Sequence, residues 1–224
     1  MDPALARLAE AGFDLAHAFD ASAAAREPGL EQLAGAPADP DDPADPADLA
    51  AGPRLGLLVG NTRALWPRFV AALAAPALAA DPHPLQRYTE ETIDAAFPGA
   101  RIYYGHRRYG GAFLPLQRLA VATGLGALAP SHLVVHPVYG PWFALRAVIV
   151  IPGAPPPPPP RPPIAQPCRC GTACAAALAA ARAATGPDLW RAWLAVRDAC
   201  ALRDFRYSED QIRYHYTRAW PSRP

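Results

Sequence analysis

The sequence predicts an α+β protein: a mostly antiparallel sheet with helices packed on it. Three observations lead there. Segments of helical periodicity alternate with short apolar runs, so both element types are present. Residues 137–141, Pro-Val-Tyr-Gly-Pro, read as a tight turn between two strand-like runs, which argues against a purely parallel sheet. Residues 142–151 are apolar on both faces, the pattern of a central strand covered from both sides.

The elements follow in order. Residues 3–11 form a short helix stopped by Gly12, and 13–19 alternate apolar and polar as a half-buried strand does. Residues 34–52 are Asp, Pro, Ala and Gly with Leu49, too little apolar surface to offset the entropy of ordering, and are expected to form a disordered acidic loop. The run LGLLVGN at 55–61 is a buried strand. Trp66, Phe69, Val70 and Leu73 mark one face of a helix over 66–78, and a second helix spans 84–97 before Pro98-Gly99. Residues 101–104 are a strand, 116–125 a helix ending near glycine, and 133–136 a strand preceding the turn. Residues 55–61, 133–136 and 142–151 are expected in one sheet. Residues 155–163 hold eight prolines around Arg161, a stiff polyproline II spacer. Helices over 174–185 and 189–201 follow, and Ser208-Glu-Asp-Gln211 is a capping box that opens a last helix to residue 216. The expected organisation is a core over 1–152, a linker over 153–167, and C-terminal helices over 168–224 packing on the core.

Composition narrows the function. Of 224 residues, 51% are hydrophobic and 18% charged, which excludes wholesale disorder. The net charge of +1 gives no general attraction to nucleic acid or an anionic membrane. The longest apolar stretch, 141–152, is interrupted by Arg146, and the N-terminus lacks the pattern of a signal peptide, so a soluble cytoplasmic protein is expected, with no membrane and no nucleic-acid partner. All 21 basic residues are Arg, and Ala and Pro abound; these share GC-rich codons, so arginine counts only where its place is unusual.

Arg146 is such a place. Strand alternation puts it on one face with Trp142, Ala144, Val148 and Val150, and Leu145, Ala147 and Ile149 on the other. A guanidinium in an apolar layer needs an anion: a protein carboxylate in a structural ion pair, or a bound carboxylate or phosphate. His136, Tyr139, Gly140 and Trp142 flank it as candidate pocket wall. His136 serves either as a ligand or acid, or to satisfy the loop; Gly140 supplies a positive φ or a flat backbone surface. Cys168, Cys170, Cys174 and Cys200 are compact enough for a metal site, but their spacing is neither that of a zinc ribbon nor that of a ferredoxin, and buried free thiols are the alternative. Walker A, G-x-G-x-x-G and G-x-S-x-G motifs are absent. Asp81-Pro-His83 starts a D-x-H-x-x-G pattern, through which His ligates cobalt in some proteins, but position 86 is Gln.

Three ordered blocks, LGLLVGNTRALWPRFVAAL, HPVYGPWFALRAVIVIPG and RYSEDQIRYHYT, resemble a bacterial member of the cobalamin-processing CblC family, over about residues 12–19 and 55–217. The resemblance implies a modified flavin-reductase (nitroreductase-like) α+β fold that binds cobalamin base-off and removes its upper axial ligand, by reductive decyanation or thiol-dependent dealkylation. It implies glutathione or another thiol, or a flavin (FMN or FAD), as the electron source. Glutathione-binding arginines fall on Arg146 and, within Trp190-Arg-Ala-Trp193…Arg197-Asp-Ala199, on Arg197. Cobalamin contacts fall on Tyr103, Leu114, Pro115, Leu116, Gln117, Val134 and Leu145. Tyr103 stands where the family has an acid, Val121 where it has a His near the corrin, Leu128, Ala129 and Pro130 where it has aromatics, and Pro141 where it has a second Gly. Epoxyqueuosine reductases share the fold and a similar strand, and carry a cysteine-rich module after it. That relation, a flavin-dependent reductase and a non-catalytic B12 carrier are the alternative readings.

Overall fold

The computed structural model describes residues 2–34, 53–109, 111–153 and 172–219. In order, these form α1 (Asp2–Glu10), β1 (Leu15–Asp20), α2 (Ala21–Ala24), a 3-10 turn (Glu31–Ala34), β2 (Arg54–Asn61), α3 (Leu65–Ala72), α4 (Pro76–Ala79) and α5 (Pro84–Ala96). Next come β3 (Arg101–Tyr104), β4 (Arg108–Tyr109), β5 (Ala112–Phe113), α6 (Leu116–Ala122), β6 (Ala127–Leu128), β7 (Val134–Val135) and β8 (Ala144–Pro152). The helices α7 (Ala173–Ala183), α8 (Leu189–Asp198) and α9 (Glu209–Thr217) are the last of the described elements. The expected acidic loop and proline spacer fall on 35–52 and 154–171, outside the described residues, as do Cys168 and Cys170.

The main sheet has the order β1-β2-β8-β3, with every pair antiparallel. All eight residues of β2 are buried, because helices cover the sheet on both faces. On one face Leu57, Val59, Ala147 and Ile149 pack with Leu8, Phe69, Ile93 and Tyr214, drawn from α1, α3, α5 and α9. On the other, Leu58, Val148 and Val150 pack with Leu15, Phe19, Leu119 and Val134. Alternation along β2 and β8 thus feeds two cores from the same strands.

Several expectations are corrected. The segment 133–136 is not in the main sheet: Val134–Val135 pairs with Ala127–Leu128 in a separate two-stranded sheet. The helix over 66–78 is two helices, because Pro76 cannot donate a backbone hydrogen bond and instead occupies the first turn of α4. The strand starts at Ala144, since Trp142 still belongs to the turn and its N–H donates to the Tyr139 carbonyl at 3.1 Å.

The face assigned to Arg146 is also corrected. Val59 pairs with Ala147, but Gly60 pairs with Leu145, so β8 carries a bulge with Arg146 as its extra residue. Leu145 therefore packs with the Val148–Val150 core, while Arg146 lies on the α5–α9 side. Gly60 is required there, because a Cβ would sit 2.4 Å from the Ala144 carbonyl oxygen. Ser208 does cap α9, its Oγ accepting from Gln211 N at 3.3 Å.

Candidate functional site

Two clefts open on either side of Leu145. The first, of about 210 Å³, is lined by Leu116, Gln117, Val134, Phe143, Leu145 and Arg197 among others. Leu116 and Gln117 sit at the start of α6, where Pro115 precedes the first turn. Leu116 approaches closely because residue 105 is Gly: a Cβ there would lie 2.7 Å from Leu116 Cδ1. Four of the residues implied as cobalamin contacts therefore meet in one cleft, brought from α6, β7 and β8. Three do not line it. Tyr103 is 2% exposed in the core, with its hydroxyl donating to the Gln32 carbonyl at 2.7 Å, and Leu114 is buried behind α6. Pro115 serves as the entry to that helix.

The second cleft, of about 250 Å³, is lined by Leu85, Gly105, His106, Leu145, Arg146, His215 and Arg218 among others. Arg146 Nε donates to Asn61 Oδ1 at 2.7 Å, and Asn61 Nδ2 in turn donates to the Thr62 carbonyl at 2.8 Å. Arg146 Nη2 is buried and without a hydrogen-bond partner. Among the described residues no carboxylate forms an ion pair with Arg146; of the two sequence readings, the structural ion pair is not what the fold provides. Burial pushes its guanidinium below the ordinary arginine range; Tyr207 and Tyr214 oppose this, and Arg218 and Arg197 reinforce it. His215, packed against the rings of Tyr207 and Tyr214, is pushed down to about 3 by burial and by Arg146, Arg197 and Arg218, so its imidazole is neutral at pH 7. The cleft is thus positive, with one guanidinium nitrogen waiting for an acceptor.

Arg197 lines the first cleft and Arg146 the second, and both lie near Tyr207. The Arg197 guanidinium stands 5.9 Å over the Trp142 ring, and Arg206 5.5 Å over the same ring. Trp142 is fully buried, so it supports Arg197 from behind and does not face a cleft. His136 orders the turn before β8: its Nδ1 accepts from Val138 N at 3.1 Å and Tyr139 N at 3.2 Å, and its ring stacks on Tyr139 at 4.4 Å. Burial and the nearby His17 push it down to about 4. Gly140 has φ +60° and leaves no room for a side chain, since a Cβ would lie 2.4 Å from the Leu202 carbonyl oxygen. Cys174 and Cys200 are buried and line one narrow interstice between α7, α8 and the residues around β7. His83 is exposed, with its N–H donating to Asp81 Oδ1 at 2.7 Å, an ordinary turn ahead of α5.

His106 and Arg218 carry no motif, and His215 lies in the RYSEDQIRYHYT block without being marked there as a site residue; the topology alone brings the three to Arg146.

No protein-family model and no curated protein matches this chain significantly. Among solved structures it is similar to the B12-trafficking protein CblC of C. elegans, a homologue of human MMACHC. The identity is 16% and the TM-score 0.57, over 98% of this chain and 88% of that one. This chain has the CblC fold. That fold is the nitroreductase-like α+β arrangement expected from the three sequence blocks. The likeness spans nearly all of both chains, so the C-terminal helices that carry Arg197, His215 and Arg218 fall within it. Among the described residues, no helix is long and apolar enough to cross a membrane.

Proposed function

We propose that this protein takes cobalamin as substrate, bound base-off, and removes its upper axial ligand, as a member of the CblC family. The observation that carries this reading is the convergence of Leu116, Gln117, Val134 and Leu145 on one cleft beside the Arg146 cleft, in a chain with the CblC fold. The apolar first cleft suits one edge of a corrin ring, with Gln117 as its polar contact. The positive second cleft suits a thiol that carries carboxylates, such as glutathione, with Arg146 and Arg197 as its anchors on either side of Leu145. In dealkylation the thiolate sulfur bonds to the alkyl carbon, the carbon–cobalt bond breaks, and its electron pair stays on cobalt. Anchoring both reactants across one leucine converts this encounter into a local step. In decyanation a thiol or a flavin supplies the electron and cyanide leaves. Described histidines offer cobalt no D-x-H-x-x-G ligand, which is why the base-off form is assigned without an axial His.

The test is the visible spectrum of the purified protein with added methylcobalamin. A shift to the base-off form is expected. Electron paramagnetic resonance of bound cob(II)alamin should show no nitrogen superhyperfine splitting. An unshifted spectrum removes the cobalamin reading; nitrogen splitting removes the base-off, His-free assignment.

A further inference from the structure

We infer that His106, held by Glu90, is the base that takes the proton from the thiol. The inference rests on the thiol-dependent reading above and concerns a pair of side chains that no sequence motif marks. His106 lies just after β3 and lines the second cleft together with Arg146. Its Nε2 is 2.7 Å from Glu90 Oε1, and the same oxygen accepts from Arg107 Nε at 2.7 Å. Burial alone would raise the Glu90 carboxyl, but the hydrogen bonds from Arg107 and His106 outweigh it and hold it below the ordinary carboxylate range. An ionised carboxylate only accepts, so Nε2 carries the hydrogen and the lone pair of the neutral ring is at Nδ1. Among the described residues Nδ1 has no hydrogen-bond partner. A base held by an orienting carboxylate at the wall of a substrate cleft is the arrangement that nucleophile activation requires.

The charges around it are mixed. Glu90 and Arg107 touch the pair directly, and Tyr104, whose hydroxyl donates to Asp94, lies against the ring at 5.6 Å. Arg146, His215 and Arg218 line the same cleft from β8 and the α9 end. His215, the other imidazole there, sits among arginines without a carboxylate and is too weak a base for the role. A free thiol ionises near pH 8.5, so only a few per cent is thiolate at pH 7. In the proposed step the S–H bond breaks, the proton moves to His106 Nδ1, and the thiolate attacks the alkyl carbon. The Co–C pair stays on cobalt, and no further oxidant or reductant is needed.

The experiment compares the wild type and His106→Gln in demethylation of bound methylcobalamin by glutathione and by a carboxylated aryl thiol already ionised at neutral pH. At pH 7 the variant should be slower with glutathione by roughly ten- to thirtyfold, since a few per cent of the thiol is still ionised without the base. It should approach the wild type with the aryl thiol, and with glutathione as the pH nears 9. Ultraviolet thiolate absorbance of glutathione added to cobalamin-free protein should appear near pH 7 for the wild type only. Equal rates with glutathione, or an equal loss with both thiols at every pH, overturns the assignment. If the wild type gives no base-off shift with methylcobalamin, the cobalamin reading itself fails. If it binds methylcobalamin but turns over with neither thiol, the base assignment falls while binding stands.

Discussion

Arg146 is expected to cost the unliganded fold stability. One of its nitrogens is satisfied by Asn61, another is buried without a partner, and the charged groups acting on it most strongly after the two tyrosines are Arg218 and Arg197. Removing one half of a buried ion pair is normally costly because the other half is left charged in a poor solvent. Among the described residues there is no carboxylate to orphan, and the expected sign reverses. Arg146→Gln keeps a donor for Asn61 and relieves repulsion among three guanidiniums. Its melting temperature should be unchanged or higher than that of the wild type. An anionic thiol should lose one charged hydrogen bond, worth about 1.5–3 kcal/mol, so thiol use should weaken roughly ten- to hundredfold while cobalamin affinity changes little. A marked fall in melting temperature with thiol use per folded molecule unchanged would make Arg146 a structural residue.

At the scale of elements, what local sequence encodes was legible and what partners impose was not. The spans of β2, β3 and α5 follow from apolar runs and from Pro84, and α9 from its capping box. The bulge in β8 was not legible, because the alternation of 142–151 is unbroken and the extra residue exists only relative to β2. Nor was the pairing of β7 with β6, since two residues suit either sheet. The bulge is what turns Arg146 away from the Val148–Val150 face, and Gly60 permits it. Gly60→Ala places a methyl 2.4 Å from a backbone oxygen and 3.1 Å from Leu15 Cδ2, so the strands must move. The expected cost is about 1–3 kcal/mol, or several degrees of melting temperature for a chain of this size. Glutathione-dependent demethylation should fall with it, because the displaced segment carries Arg146. A melt identical to the wild type would show that the register is set elsewhere.

Across the whole molecule, the site is assembled from segments far apart in sequence. Leu116 and Gln117, Val134, Leu145 and Arg197 were named from resemblance, and the topology gathers them in one cleft. Asn61, Glu90, His106 and His215 could not be named, because each acquires its role only through a contact with an element dozens of residues away. Leu145 is where the two halves meet, because it lines both clefts. Cobalamin at a hundredfold over its Kd should stabilise the wild type by about 2.7 kcal/mol, which is roughly 5–10 °C for a domain of this length. Leu145→Trp keeps the position apolar and pushes a larger side chain into the wall that the two clefts share. Cobalamin should then no longer raise the melting temperature, and the protein should no longer respond to glutathione, whereas Arg146→Gln loses only the second response. Parallel thermal melts of the three proteins, with and without methylcobalamin and with and without glutathione, separate the outcomes. If Leu145→Trp keeps the full cobalamin-dependent rise, the ligand lies away from Leu145 and the two clefts are not the two halves of one site.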